Sequence, residues 1–442
     1  MRIAYLASRY PDISHTFVMR EVLALRERGV AIETISIRRP EPGELLSEED
    51  RAEAARTYHV LPVSARRLLR VHLSALVAGP RAYFRTLSAA LALASPGLRA
   101  TLWQLFYFAE AIIVWARCRS LGIRHVHVHF ANVSADVALL ATTLGNSLLP
   151  GSSSWSFTMH GPTEFYDVRE HRLAPKTEDA VFVACISDFA RSQLMGLVGP
   201  EEWSKLQVVH CGLDTQRFSR DAEGTDGSSD VVRILSVGRL VPVKGQAILI
   251  QAAAQLVEAG LPVRLTLVGD GPDRKKLERL TRKLGLEGRV TFAGAVGQHE
   301  IRAYFAAADI FCSPSFAEGV PVVLMEAMAM RVPVVATRIM GVGELVEDGL
   351  TGRLVAPGRV DALADALRDL AGSPELRRRI AERGREKVEA EFDIRQSATQ
   401  LSDLFARTLT DHAVDEPAAD GHETDADPSS AAGGTLEPST RP

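Results

Sequence analysis

The sequence predicts an α/β protein of two facing Rossmann-like domains with a central cleft, followed by a disordered acidic tail. Three observations support this prediction. The chain of 442 residues is longer than one typical domain. Short β-rich runs alternate with longer helical patterns in both halves, which is typical of parallel sheets covered by helices. A polar stretch rich in glycine, serine and acidic residues interrupts this alternation near the middle of the chain.

The composition is that of a soluble globular protein, with 46% hydrophobic and 24% charged residues. A formal net charge of −4 disfavours a dedicated nucleic-acid binder. The four cysteines form no C-x-x-C pair and are expected to be reduced, mostly buried thiols. A strand pattern begins directly after Met1, and no uncharged apolar run is long enough to span a bilayer. We therefore expect a cytoplasmic protein.

In the first half, the alternation predicts strands at 2–7, 30–37, 123–129, 155–159, 181–186 and 207–210, and helices at 16–28, 64–78, 81–94, 100–119, 131–144 and 188–197. In the second half, it predicts strands at 232–237, 264–268, 290–292, 310–313 and 334–336, and helices that begin at Gln246, Arg274 and Pro321, with further helices to Phe405.

These elements divide the chain into a first domain at 1–216, a linker at 217–230 and a second domain at 231–392. A helix at 393–410 is expected to pack back toward the first domain. Residues 411–442 are dominated by Asp, Glu, Pro, Gly, Ser and Ala, a composition typical of disorder. The single D-x-D in this tail is interpreted as an accident of composition and not as a metal site.

The most informative segment, 313–330, is predicted as strand, loop and helix, with Pro321 in the first helical turn. The N-terminus of such a helix suits a phosphate, and Gly319 permits close backbone approach. Glu318 in the loop and Glu326 in the helix can accept hydrogen bonds from different hydroxyl groups of one ligand. An ordinary turn with two surface glutamates is the alternative interpretation.

Positive charge follows the first strand of the second half, where Arg239 and Lys244 suit an anionic diphosphate. The loop lacks the G-x-x-x-x-G-K-[ST] pattern of a P-loop. The first strand of the chain lacks G-x-G-x-x-G, which disfavours a dinucleotide oxidoreductase. A solvated loop pair is the alternative interpretation.

Taken together, these motifs resemble glycosyltransferase family 4. The resemblance covers roughly residues 1–408, and the motifs are specific jointly rather than singly. In the second half it rests on Gly238-Arg239 with Lys244-Gly245, on Gly269-Asp270-Gly271-Pro272, and on Glu318 and Glu326 with seven residues between them. In the first half, four segments resemble exopolysaccharide and colanic-acid-type members of the family: 10–17, 127–130, 158–161 and 211–214.

The resemblance implies a GT-B fold and a retaining, hexosyltransferase-type enzyme that uses a nucleoside-diphosphate (NDP) sugar without a bound metal or other cofactor. Arg239 and Lys244 would bind the diphosphate and stabilise the charge of the leaving group. His160 would project from the first domain toward the sugar and phosphate.

The resemblance also assigns the remaining donor contacts. Glu318 would hold the hydroxyl groups of the donor sugar, together with the N–H groups of Gly319 and Val320. Glu326 would take the ribose hydroxyls. The acceptor would be lipid-linked or an oligosaccharide, in surface or exopolysaccharide synthesis. A sugar-nucleotide epimerase on the same fold and a non-catalytic sugar-nucleotide-binding scaffold are the alternatives.

Two further clusters were weighed. His125, His127 and His129 alternate along one strand and share a face, but no acidic or cysteine partner at matching spacing completes a zinc site. No metal is therefore predicted. The aromatic residues between Trp103 and Trp115 are interpreted as core.

Residues 61–109 contain six arginines and no acidic residue. Basic residues interleaved with apolar ones suit an anionic membrane surface, so peripheral attachment to the inner face of the cytoplasmic membrane is one hypothesis. A solvated helix face is the equally weighted alternative.

Overall fold

The computed structural model describes residues 1–12, 16–45, 47–219 and 231–414. It contains two parallel sheets that face each other across a central cleft, which confirms the predicted α/β architecture of two Rossmann-like units. Residues 220–230 of the predicted linker and residues 415–442 of the predicted tail lie outside the described residues.

The first sheet has the strand order β3-β2-β1-β4-β5-β6-β7, and every neighbouring pair is parallel. Its strands are β1 (Arg2–Arg9), β2 (Ala31–Arg38), β3 (Tyr58–His59), β4 (His125–His129), β5 (Ser154–Met159), β6 (Val183–Cys185) and β7 (Leu206–Val208). Its helices are α1 (Thr16–Glu27), α2 (Glu48–Arg56), α3 (Ala65–Ala78), α4 (Pro80–Ala92), α5 (Leu98–Leu121), α6 (Val133–Leu148), α7 (Thr163–Tyr166), α8 (Val168–His171), α9 (Leu173–Asp179) and α10 (Asp188–Met195).

The second sheet has the order β10-β9-β8-β11-β12-β13 and is also parallel. Its strands are β8 (Val232–Val237), β9 (Val263–Val268), β10 (Val290–Gly294), β11 (Ile310–Ser313), β12 (Val334–Thr337) and β13 (Arg353–Val355). The helices are α11 (Gln246–Glu258), α12 (Arg274–Lys283), α13 (Gln298–Ala307), α14 (Val322–Ala329), α15 (Val342–Leu345), α16 (Val360–Gly372), α17 (Pro374–Glu391) and α18 (Ile394–Val414).

Sequence periodicity missed the shortest elements. The strand β3 has only two residues, which is too short for an alternating pattern to be recognised, and the three-residue strand β13 was also missed. The helix α2 was missed as well, although Ser47 caps it and Asp50 completes a capping box.

The strand order reverses between β1 and β4 in the first sheet and between β8 and β11 in the second. In open parallel sheets, a crevice forms at the carboxyl ends of the strands that flank such a reversal. The loops after these four strands are therefore the ones placed to form a site.

The helix α18 lies against the first sheet although it follows the second. Ile394, Ala398, Leu401 and Phe405 are buried in one cluster with Tyr5 of β1, and the rings of Tyr5 and Phe405 lie 6.2 Å apart. The helix continues to Val414, which is past the start of the tail that we predicted at residue 411.

All four cysteines are buried and form no disulfide, in agreement with the prediction of reduced thiols. No described helix combines the length and the apolar character that crossing a bilayer requires.

We expect Phe405→Ala to destabilise the protein, because the ring is fully buried between α18 and the first sheet. Such truncations cost about 3–5 kcal/mol. Asp403→Ala, an exposed change on the same helix, serves as the control and should stay within about 0.5 kcal/mol of wild type. Thermal unfolding measures both, and equal melting temperatures for the two variants would contradict the packing of α18.

Candidate functional site

The loop after β8 carries the predicted cations. Arg239 is exposed, and its side chain makes no hydrogen bond or ion pair with any residue that the structure describes. Lys244 ends a short 3-10 turn at Pro242–Lys244, and its aliphatic stem runs over Gly238. The two cations therefore flank the start and the end of one loop at the carboxyl edge of the sheet.

The loop after β11 meets the Lys244 loop. Phe316 donates a backbone hydrogen bond to Val243. The Glu318 Oε1 atom lies 2.6 Å from Lys244 Nζ and accepts a 2.7 Å hydrogen bond from the Ser315 hydroxyl. The structure thus brings together the two residues that the sequence assigned to different parts of the donor. The ion pair itself was not predicted.

The helix α14 begins directly after this loop. Pro321 is its N-cap residue and not part of its first turn, one position from the prediction. The N–H groups of Gly319 and Val320 donate no hydrogen bond to any described residue. Unbonded N–H groups ahead of a helix N-terminus, next to the residue that pairs with Lys244, form an environment suited to an anion.

Glu326 lies on α14 and is buried, but it has a protein partner that the sequence did not reveal. The Arg20 guanidinium of α1 forms a 2.8 Å ion pair with its carboxylate, and both side chains are 8% exposed. The two residues are 306 positions apart, so no local pattern could have paired them. The pair spans the cleft between the two units.

Gly319 marks another point where the two units meet. A Cβ atom at this position would lie 2.3 Å from the backbone oxygen of His160, so a side chain cannot be placed there without moving one unit. Glu344 adds a polar contact across the same cleft by accepting 2.8 Å hydrogen bonds from the backbone N–H groups of Asp188 and Phe189.

His160, predicted to project toward the sugar and phosphate, has a buried ring. Nε2 lies 2.9 Å from His129 Nδ1, and Nδ1 lies 3.6 Å from Cys211 Sγ. The part of this residue that meets the Gly319 loop is its backbone carbonyl group. The sequence places the residue at the cleft, whereas the ring orientation depends on contacts from three separate segments.

The three histidines of β4 share one buried face, as predicted. His125 contacts the hydroxyls of Ser154 and Ser156 at 2.8 and 2.7 Å. His127 contacts the hydroxyls of Ser156 and Thr158 at 2.8 and 2.9 Å. Burial, followed by the neighbouring histidines, lowers the pKa of His127 well below its ordinary value, so this ring is neutral.

A carboxylate that the sequence reasoning missed lies beside these rings. Ligand atoms of Glu21, His127 and His129 lie within 4.8 Å of one another, which is compatible with a metal. Both ring nitrogens of His127 already have hydroxyl partners, however, and a metal there would have to break one of these contacts. The absence of a metal stays a prediction.

The aromatic residues of α5 depart from the prediction. Phe108 and Trp115 are buried, as expected of core residues, but Trp103 and Phe106 are 41% and 60% exposed. The interpretation of these two as core was wrong, because the first half of α5 is covered on one side only.

Comparison with known proteins places the chain among sugar-transferring enzymes. The family model of glycosyl transferases group 1 matches residues 220–387. Alpha-D-kanosaminyltransferase of Streptomyces kanamyceticus is 35% identical over 300 residues, which are 65% of this chain and 78% of that protein.

Two further proteins are similar over nearly the whole chain. The putative colanic acid biosynthesis glycosyltransferase WcaL of Salmonella typhimurium is 28% identical over 429 residues, 92% of this chain and 99% of that protein. The crystal structure of Anabaena Alr3699/HepE in complex with UDP and glucose has a TM-score of 0.69 at 19% identity, and covers 92% of this chain and 100% of that one. This structural likeness supports the fold.

Arg20→Ala should destabilise the protein strongly, because it leaves the Glu326 carboxylate buried without its ion-pair partner, a change that typically costs about 3–5 kcal/mol. The double variant Arg20→Met with Glu326→Gln removes the uncompensated charge and should recover much of this loss.

Thermal unfolding of Arg20→Met, Glu326→Gln and the double variant measures the coupling. Arg338→Ala, which removes one partner of the more exposed Arg338–Asp348 pair, is the control and should have little effect. Additive losses in the double variant would contradict an ion pair across the cleft.

Proposed function

The chain belongs to the group 1 glycosyl transferases, and we propose that it moves a sugar from an NDP-sugar to a lipid-linked or oligosaccharide acceptor in polysaccharide synthesis, with retention of anomeric configuration. The observation that carries this proposal is the convergence of two cations, two carboxylates and unbonded backbone N–H groups at one edge of the second sheet. The similarity to the colanic acid enzyme supports the role in an exopolysaccharide.

The diphosphate would bind between the loop after β8 and the N-terminus of α14. Lys244 has three donors, so its bond to Glu318 leaves others for a phosphate oxygen. Arg239 has no described partner to give up. Charge grows on the diphosphate as the glycosidic bond breaks, and oriented cations stabilise that charge more in the transition state than in the bound donor.

The two carboxylates would bind the rest of the donor. Glu318 is placed for the hydroxyl groups of the transferred sugar, because Lys244 and Ser315 fix its carboxylate beside the proposed phosphate position. Glu326 would accept hydrogen bonds from the ribose. The ribose would then either share the Glu326 carboxylate with Arg20 or displace Arg20 from it.

No metal is part of the proposed reaction. Two cationic side chains and the helix N-terminus would supply the charge stabilisation that a divalent cation gives in other transferases. The resemblance to family 4 supports a front-face substitution, in which the acceptor hydroxyl attacks from the side that the diphosphate leaves.

Release of NDP from a panel of UDP- and GDP-sugars, measured in EDTA with and without candidate glycan acceptors, tests this function. Acceptor-dependent release supports a transferase. Conversion of the sugar without NDP release would identify an epimerase, and binding without either reaction a scaffold. Complete loss of activity in EDTA, restored by Mg²⁺ or Mn²⁺, would overturn the metal-free mechanism.

Arg239→Ala and Lys244→Ala should each lower kcat by about 10²-fold or more, because each removes a cation oriented toward the departing diphosphate. Arg264→Ala, an exposed arginine on β9 of the same sheet, is the control and should retain wild-type turnover. Steady-state kinetics at saturating donor measures the three variants. Near-wild-type kcat in both loop variants would show that the donor site is elsewhere.

We also propose that α3, α4 and the start of α5 contact an anionic bilayer. All six arginines of residues 61–109 are exposed. The same helices expose large apolar side chains, namely Leu69, Leu73, Val77, Phe84, Leu91, Leu98, Leu102, Trp103, Leu105 and Phe106. Charge and apolar surface together favour a lipid interface over a solvated helix face, and would hold the enzyme near a lipid-linked acceptor.

The geometry of α3 supports this surface. Arg66, Leu69, Leu73 and Val77 follow helical spacing and share one face, on which Leu69, Leu73 and Val77 are 61%, 49% and 83% exposed. Each basic residue near an anionic surface contributes about 1 kcal/mol. Several together are enough for peripheral attachment.

The protein should sediment with anionic vesicles and not with neutral ones. Attachment should weaken as salt rises, because the Debye length is only about 8 Å at physiological ionic strength. Replacing Arg66, Arg67 and Arg70 by Gln should release the protein, whereas replacing Arg279, Arg282 and Arg289, exposed arginines of the second unit, should not. Failure of the wild type to bind anionic vesicles at low salt would contradict the proposal.

A further inference from the structure

A row of buried polar side chains leads from α1 to the edge of the cleft. The Tyr5 hydroxyl donates a 2.8 Å hydrogen bond to Glu21 Oε1. The same oxygen lies 3.1 Å from His129 Nε2, within ion-pair distance although not in the alignment of a hydrogen bond. His129 Nδ1 contacts His160 Nε2 at 2.9 Å, and His160 Nδ1 contacts Cys211 Sγ at 3.6 Å.

The Glu21 carboxylate at one end of this row specifies the protons. It lies 3.1 Å from His129 Nε2, which favours the tautomer of His129 that carries its proton on Nε2. His129 Nδ1 then accepts a hydrogen bond from His160 Nε2, and His160 Nδ1 accepts one from the Cys211 thiol, whose pKa is raised by burial, followed by the charge of Glu21. A carboxylate behind an imidazole is known to select one tautomer in this way.

Two aromatic rings and an unusual backbone conformation lie beside His160. Phe130, directly after β4, has φ 69°, in the left-handed region that non-glycine residues rarely adopt. Its ring lies 4.6 Å from that of His160, and Phe17 lies 4.7 Å away. The backbone of the next residue, Ala131, is held by two buried side chains. Its oxygen accepts a 2.7 Å hydrogen bond from Lys176 Nζ, and its N–H donates a 2.8 Å hydrogen bond to Glu164 Oε1.

We propose that Glu21 and His129 are positioning residues that hold His160 in its Nε2-protonated form and thereby set the place of its backbone carbonyl group against the Gly319 loop. His160 reaches Gly319 through this carbonyl, with which a Cβ atom at residue 319 would collide. Contacts at both ring nitrogens limit the side-chain torsions of His160, and the held ring in turn restrains the backbone that carries the carbonyl. This row of side chains thus connects α1 to the Gly319 loop, and none of its members would contact the diphosphate.

Nitrogen NMR of protein labelled with ¹⁵N-histidine tests the tautomers directly and needs no substrate. In the wild type, at a pH well above the ordinary histidine pKa of about 6.5, we expect the ring protons of His129 and His160 to lie on Nε2. In His129→Leu, His160 should exchange between tautomers, whereas His129→Asn, whose side-chain oxygen can replace Nδ1 as the acceptor, should preserve the Nε2 proton. An Nδ1-protonated or doubly protonated His160 in the wild type would overturn the proposal.

The kinetic arm depends on the proposed function. His129→Leu should lower kcat by about 10-fold or more, as loss of support for a positioned group typically does. The affinity for NDP, measured by calorimetry, should stay within about twofold, and His129→Asn should recover part of kcat. His125→Gln is the matched control: it alters a buried histidine of the same strand face, outside the row, and should keep wild-type kcat below its melting temperature.

The outcomes separate the two proposals. Absence of sugar transfer in the wild type refutes the proposed function. The NMR spectra alone then test the tautomer assignment. Full turnover in His129→Leu, together with an active wild type, refutes the positioning role alone. A parallel loss of kcat and NDP affinity in His129→Leu and His129→Asn would show that the histidine only stabilises the fold.

Discussion

The candidate site depends on one close approach, the packing of the Gly319 backbone against the carbonyl oxygen of His160. The two residues follow strands of different sheets, so their contact fixes how the carboxyl edges of those sheets face each other. Only glycine fits, since a Cβ atom would lie 2.3 Å from that oxygen. The neighbouring residue Glu318 then falls beside Lys244, and the N-terminus of α14 opens toward the same crevice.

The helix α1 connects the two halves of this arrangement. Its adjacent residues Arg20 and Glu21 contact different units. Arg20 pairs with Glu326 of the second unit, and Glu21 faces His129 of the first. In the proposed donor site, a ribose that engages Glu326 would therefore act on the helix that also carries Glu21. Burial of both ion-pair partners makes the contact costly to break singly.

The sequence predicted what is local. Strand and helix alternation, the cation loop with Arg239 and Lys244, and the two glutamates that flank the start of α14 all follow from patterns within about twenty residues. It could not predict the Arg20–Glu326 pair, because 306 residues separate its members. The buried contacts of the His160 ring could not be predicted either, since they are made with Cys211 and His129, which lie elsewhere in the sequence.

The central claim is that Arg239 and Lys244 recognise the diphosphate of the donor. Calorimetric titration of wild type, Arg239→Ala and Lys244→Ala with UDP, UMP, GDP and GMP tests it most directly. The account predicts that, for one base, the diphosphate binds the wild type about tenfold or more tightly than the monophosphate, since one charge-assisted contact contributes roughly 1.5–3 kcal/mol. Either variant should lose most of this preference. An unchanged preference in both variants would contradict the account.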